Sequence, residues 1–232
     1  MDPRAVSPSG WTFLFVLTVL FPFLALRSAL RVRKPGGTPN RAQHLSSVFT
    51  SQAMMLVLAL LAVRFDRVEL FPAFHPGWED FAAGLVFLAV TLGTLPMRWR
   101  WKPLEERARN LWLFPHGPRD LGWWALVALV AGIVEEIVYR GALFTLWQRV
   151  LGSWWAAAAL CSLAFALAHF VQGWRAMVVI IAFALGSHAI VRLTGDLYTV
   201  MAVHVVYDFL AGLIVIGLAR RDGLLAPARP AV

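Results

Sequence analysis

Seven long apolar runs are the feature that most constrains how this chain of 232 residues can fold. A helix of about 20 apolar residues crosses the hydrocarbon layer of a bilayer. The runs predict membrane spans at roughly 11–31, 45–64, 80–97, 120–149, 153–171, 175–193 and 197–218. The predicted fold is therefore all-α, a polytopic transmembrane helical bundle with about seven spans and a range of six to eight. The fourth run is long enough to be kinked or tilted.

The composition supports lipid as the surrounding medium, because 59% of the residues are hydrophobic and only 15% are charged. Soluble domains carry roughly 25% charged residues. A net charge of +8 would suit a nucleic-acid partner, but the basic residues lie between the apolar runs and form no continuous stripe. We therefore exclude nucleic acid and expect the lipid bilayer as a partner. The single Cys161 excludes a disulfide framework and a thiolate zinc site, and predicts a small core residue.

The basic residues also predict the orientation of the chain. Of the 21 Lys and Arg residues, 15 fall after the first, third and fifth runs or in the C-terminal tail. Because such loops usually stay in the cytoplasm, we expect a cytoplasmic C-terminus and an N-terminus on the opposite side. The predicted location is the cell membrane, which is the inner membrane if the protein is bacterial. Residues 103–114 predict a helix in the membrane interface, with Glu105 and Glu106 both solvated.

Ionisable side chains also occur inside the predicted spans. A charge at the bilayer centre costs about 2.5–3.5 kcal/mol on insertion scales, so such residues persist mainly where they pair or act. They fall in three spans: Glu135, Glu136 and Arg140 in the fourth, His169 at the end of the fifth, and His204 and Asp208 in the seventh. Separately, each group has a structural explanation, such as a salt bridge, a packed histidine or a hydrogen-bonded pair. Together they match general acid–base chemistry on a water molecule.

The helical spacing assigns different positions to the two glutamates. Glu136 and Arg140 stand four residues apart in the favourable order for an ion pair, whereas Glu135 is rotated by about 100°. Phe165 lies one turn before His169 and is expected to pack beside it. Counted from the span starts, His169 and His204 differ in depth by roughly 15 Å if their helices run parallel. The helices must then be offset for the histidines to meet. His188 is expected to pack or to line a cavity.

In this order, the three groups resemble the CAAX protease and bacteriocin-processing family, also called CPBP or Abi, which includes the Ras-converting CAAX endopeptidases. The family's pattern is EExxxR, then FxxxH, then HxxxN or HxxxD on successive membrane helices. The corresponding residues here are Glu135-Glu136…Arg140, Phe165…His169 and His204…Asp208. The resemblance covers residues 119–218, and the N-terminal spans carry no recognisable motif. It divides the chain into N-terminal spans with the interfacial helix (1–118), catalytic core spans (119–219) and a short, disordered cytoplasmic tail (220–232).

The resemblance implies an intramembrane endopeptidase of the glutamate type, a hydrolase acting on a membrane protein or peptide, such as a lipidated or C-terminally anchored one. It implies that Glu135 and His169 activate water. His204 and Asp208 would form the oxyanion side, and Glu136 with Arg140 would hold the helix. An ionised aspartate accepts hydrogen bonds but donates none, so Asp208 is expected to orient His204.

Three alternatives stay open at this stage. The expected mechanism uses no cofactor, but zinc held by Glu135, His169 and His204 is the alternative, although the chain has no HExxH helix. A non-catalytic membrane immunity or scaffold protein could retain the same fold. A proton-coupled transporter would also use buried Glu and His. It would usually show related halves or broken helices, and the sequence shows neither.

Overall fold

The computed structural model describes residues 5–71 and 77–225, and this part of the chain contains helices and turns but no strand. The all-α prediction is confirmed. The helices are α1 (Pro8–Val32), α2 (Arg41–Asp66), α3 (Trp78–Trp101), α4 (Leu104–Arg109), α5 (Asp120–Leu151), α6 (Trp154–Ala168), α7 (Trp174–Thr194) and α8 (Tyr198–Arg221). Of the predicted tail, residues 226–232 lie outside the described residues, and Arg220 and Arg221 complete α8.

Six of the described helices are long and apolar enough to cross a membrane, which makes this a multi-pass membrane protein. The fifth predicted span is shorter than expected, because α6 has 15 residues and a length of about 22 Å. Two local features end it. His169 bonds its ring Nδ1 back to the Phe165 carbonyl oxygen at 2.8 Å, and Gly173 adopts a φ of +94° that other residues rarely allow. The helix therefore covers only Trp154–Ala168 of the predicted span 153–171.

The first two helices pack together only over part of their length. Ser7 caps α1 and donates from Oγ to Asp66 Oδ2 at 2.7 Å, which brings the start of α1 to the end of α2. The second half of α1 instead packs against α6 and the turn that follows it. This divergence leaves space between α1 and α2, and residues of both helices form one wall of an internal cavity.

The antiparallel pair α5 and α8 forms the centre of the bundle. Trp124 Nε1 donates to the Phe209 carbonyl oxygen at 3.2 Å near one end of the pair. Further along, a Cβ atom on Gly132 would lie only 2.7 Å from the backbone nitrogen of Val205. Glycine is therefore required where the two backbones approach. Gly132 lies one turn before the glutamate pair on α5, and Val205 follows His204 on α8.

We expect Gly132→Ala to destabilise the fold by about 1–3 kcal/mol, because the added methyl group must push α8 away from α5. The measurement is thermal unfolding of the purified protein in detergent. Gly122→Ala is the matched control, since a Cβ atom at this exposed position of the same helix meets nothing within 4 Å. Equal melting temperatures for the two variants would contradict the close approach.

One end of the bundle brings the basic loops together. Arg41, at the start of α2, lies 3.6 Å from the Asp120 carboxylate before the fourth span, and Arg107 of α4 pairs with Asp222 after α8 at 2.9 Å. The Arg33 guanidinium lies 5.4 Å from the centre of the Phe170 ring. The loops after the first, third and fifth predicted spans and the end of α8 thus share one side, as the charges predicted. That this side is cytoplasmic stays a prediction.

Candidate active site

The six predicted site residues come together where α5, the end of α6 and α8 meet. Four of them line a cavity of about 600 Å³ whose other walls are mainly apolar. Those four are Glu135, His169, His204 and Asp208. Glu136 and Arg140 lie behind them with fully buried side chains.

Glu136 holds two partners at once. Its Oε2 lies 3.2 Å from Arg140 Nε, which confirms the predicted ion pair, and its Oε1 accepts from His204 Nδ1 at 2.7 Å. The segment Glu136–Leu143 is a π-helical stretch of α5, a wider turn that occurs often at functional sites. The sequence predicted the pairing with Arg140 along the helix but missed the contact with His204 on α8.

The Phe165 ring packs beside both His169 and Arg140. Its centroid lies 4.6 Å from the His169 ring, and the Arg140 guanidinium carbon lies 4.5 Å from it on α5. The predicted packing of Phe165 beside His169 is confirmed. The Phe165 carbonyl oxygen can only accept, so His169 Nδ1 must donate the proton in their 2.8 Å hydrogen bond. In a neutral His169 ring, Nε2 is then left as an acceptor.

Nε2 of both histidines lies 3.9 Å from the same oxygen, Oε2 of Glu135. This distance is too long for a direct hydrogen bond. It is short enough for one water molecule to hydrogen-bond both the carboxylate and a ring nitrogen. The site therefore offers a water position between an acid and two imidazoles.

Gln52 of α2 is a site residue that the sequence reasoning missed. Its Nε2 donates to Glu135 Oε1 at 2.7 Å, and the side chain is buried with only 5% of its surface exposed. The contact fixes one carboxylate oxygen and leaves Oε2 to face the histidines. The available signal was the single amide side chain inside the predicted span 45–64.

Asp208 lies beside His204, its predicted partner one turn earlier on α8. Its Oδ2 lies 3.6 Å from His204 Nε2, on the cavity side of the ring. The bond that orients the ring, at Nδ1, comes from Glu136 instead. Asp208 therefore faces the reactive nitrogen of His204, because the Glu136 carboxylate already occupies the opposite one.

The interfacial helix α4 also contributes to the site, and here one expectation is wrong. Glu105 is exposed as predicted, but Glu106 is only 7% exposed and pairs with Arg175 at 2.9 Å. Asn110 Nδ2 donates to the Gln172 carbonyl oxygen at 3.0 Å. Gln172 lies in the turn that follows His169, and Arg175 lies just after it at the start of α7. Glu106 is buried because α4 packs onto this turn.

His188 and Cys161 are buried polar groups of the described spans that lie outside the cavity lining. The His188 ring lies 4.9 Å from the Phe144 ring, and Cys161 is fully buried. The packing roles predicted for both residues are confirmed.

The side chains proposed as alternative zinc ligands do not fit that metal in their present arrangement. A tetrahedral zinc with bonds of about 2.0–2.1 Å holds its ligand atoms about 3.3 Å apart. Glu135 Oε2 lies 3.9 Å from each histidine nitrogen. Within residues 5–71 and 77–225, no group of three His, Cys, Asp or Glu side chains is arranged to hold a metal ion. We therefore derive no step through a metal.

Residues 117–210 match the family model described as Type II CAAX prenyl endopeptidase Rce1-like. This segment is similar to that family. The match agrees with the family expected from the three motifs, and all six predicted site residues lie within it. Comparison with curated proteins and with solved structures gave no match.

The match supports a peptidase that works in a lipid environment on a membrane-associated peptide substrate. Gln52, which contacts Glu135, lies outside the matched segment. The division of the chain at residues 118 and 119 stays a prediction, and side chains from both sides of it line the cavity.

Proposed function

We propose that the protein is an intramembrane endopeptidase in which Glu135 and His169 activate a water molecule. The observation that carries this proposal is the shared position of Glu135 Oε2, 3.9 Å from both histidine nitrogens. Three groups that can exchange protons thus surround one water position inside an otherwise apolar cavity. The substrate is a protein or peptide associated with the membrane, and the C-terminus of the protein faces the cytoplasm.

The two histidines take different roles because their Nδ1 partners differ. His169 Nδ1 donates to the Phe165 carbonyl oxygen, so in the neutral ring Nε2 is the nitrogen that can accept a hydrogen bond from the water. His204 has carboxylates on both sides, Glu136 at Nδ1 and Asp208 near Nε2. Such a ring can hold a proton on each nitrogen, and Nε2–H is then the donor for the developing oxyanion.

The reaction follows from these roles. Glu135 takes a proton from the water while the water oxygen forms a bond to the carbonyl carbon of the substrate. The carbonyl oxygen becomes an oxyanion that accepts from His204 Nε2–H. When the carbon–nitrogen bond breaks, the proton on Glu135 passes to the leaving nitrogen, and the carboxylate is restored.

The experiment that tests this proposal compares the C-terminal peptides of membrane proteins from cells that express the wild type or Glu135→Gln. We expect a set of shortened proteins that appears only with the wild type. Glu105→Gln removes the same charge at an exposed position and should behave as the wild type. If the C-terminal peptides were identical in all cells and Glu135→Gln changed only the amount of this protein in the membrane, the non-catalytic scaffold function would replace the peptidase.

Activity is expected to persist in excess EDTA, because water is activated by Glu135 and His169 without a metal. The measurement is the initial rate of cleavage of an identified substrate, together with the zinc content of the purified protein. Loss of activity in EDTA and its return on addition of zinc would favour Glu135, His169 and His204 as metal ligands that move closer when the ion binds.

A further inference from the structure

Two cations line the same cavity as the glutamate and the histidines. Arg98 lies in the last turn of α3, and Lys102 follows the end of that helix. Among the ion pairs of the described residues, none joins a carboxylate to Arg98 or Lys102 within 4.0 Å. A partly buried positive charge without a counter-ion is unfavourable, so this part of the cavity is complementary to an anion.

Neutral groups hold the Arg98 guanidinium in place. Nη1 donates to the Tyr207 hydroxyl at 3.2 Å, and Nη2 donates to the Thr91 carbonyl oxygen. The Nε atom is buried and has no hydrogen-bond partner in the described structure. The large majority of buried side-chain polar atoms have a partner, so Arg98 keeps hydrogen-bonding capacity that its neutral neighbours do not use.

The environment of Lys102 also indicates a missing anion. Burial lowers the pKa of Lys102 below its usual range, the positive charges of Arg98 and Arg109 lower it further, and only Glu106 acts in the opposite direction. An anion beside the ammonium group would stabilise its charged form.

The position of the pair connects it to the reaction. Tyr207, which holds Arg98, lies three residues after His204 on α8, a rise of about 4.5 Å. Asp208, the residue after Tyr207, also lines the cavity. A peptide bound with its scissile bond at Glu135 and His204 therefore reaches the cations within the same cavity.

We propose that Arg98 and Lys102 bind the terminal carboxylate of the peptide substrate and so determine how far from its C-terminus the peptide is cut. This inference rests on the proposed peptidase function. The rest of the cavity is mainly apolar, and a free carboxyl terminus is the anion that every unmodified peptide carries. Both cations lie outside the matched segment 117–210, so the N-terminal half of the protein supplies this specificity.

The test uses two pools of N-palmitoylated decapeptides of mixed sequence, one with a free carboxyl terminus and one amidated, in phosphatidylcholine vesicles. Mass spectrometry gives the rate and the position of each cut. We expect the wild type to cleave the free-acid pool about tenfold faster or more, with cuts at one distance from the C-terminus. Lys102→Met and Arg98→Gln should reduce this preference to near one and spread the cut positions.

Arg100→Gln is the matched control, because Arg100 is exposed, lies between the two cations and does not line the cavity. It should retain the wild-type preference. Lys102→Met guards against misfolding, since no side-chain hydrogen bond or ion pair of Lys102 joins it to the described structure, whereas Arg98 is bonded to Tyr207.

Equal cleavage of both pools by the wild type would overturn the inference and leave the peptidase function intact. The inference would also be overturned if the wild type showed no preference for the free-acid pool and its rate, unlike that of Lys102→Met, fell when phosphatidylglycerol was added. Arg98 and Lys102 would then bind a lipid phosphate. No cleavage of either pool by the wild type would count against the proposed function itself, and the inference would fall with it.

Discussion

Glu135→Gln is expected to lower kcat by about 10²–10⁴-fold, the usual contribution of a general base. The amide cannot take the proton of the water, but its carbonyl oxygen can still accept from Gln52 Nε2 as the carboxylate oxygen does at 2.7 Å. The fold should therefore survive the change. The measurement is the initial rate of peptide cleavage by the purified protein, with the melting temperature determined on the same sample.

Two further variants make this result specific. Glu105→Gln removes an exposed carboxylate of the interfacial helix and should keep the wild-type rate. Gln52→Leu should lower kcat less than Glu135→Gln, because it removes only the bond that fixes Oε1 and leaves Oε2 in place. A Glu135→Gln protein that cleaves at the wild-type rate would show that another group activates the water.

Arg140→Leu is expected to destabilise the protein by about 3–5 kcal/mol, the usual effect of removing one partner of a buried ion pair. Glu136, whose side chain has no exposed surface, would lose its guanidinium partner and keep only the contact with His204. The Phe165 ring would also lose the guanidinium that lies 4.5 Å from its centroid. The measurement is unfolding by heat or denaturant in detergent.

The double variant Glu136→Gln with Arg140→Leu should recover part of the lost stability, because it removes the buried carboxylate together with its guanidinium partner. Arg192→Leu is the control, since Arg192 is exposed and also lies against an aromatic ring, that of Trp154 at 4.9 Å. It should change stability by about 1 kcal/mol or less. If Arg140→Leu cost no more than Arg192→Leu, the buried pair would not support the fold.

The cavity connects the two halves of the chain. The matched segment supplies the glutamates, the histidines and Asp208, while α2 supplies Gln52 and α3 supplies Arg98. In the proposed function, the matched segment carries the reaction and the N-terminal helices position the acid and bind the end of the substrate. The N-terminal spans carry no recognisable motif, but their side chains line the same cavity as those of the matched segment.

The sequence by itself determined the all-α membrane fold, the order of the spans and the partners that lie on one helix. Apolar length identifies helices that cross lipid, because an unpaired backbone is not tolerated there. The fixed helical period places Glu136 beside Arg140, and Phe165 beside His169. These are contacts within one helix, so local spacing is enough to predict them.

Only the tertiary structure decided which helices meet and at what depth. The predicted spans left His169 and His204 about 15 Å apart in depth. In the structure Nε2 of both histidines lies 3.9 Å from one oxygen of Glu135, although α6 and α8 begin within one residue of the predicted starts, so the two helices are offset in depth. Glu106 became buried, and Gln52 joined the site, through contacts with residues more than 60 positions away. Such contacts depend on how complete helices pack, as at Gly132, and nothing in the spacing along a single helix specifies them.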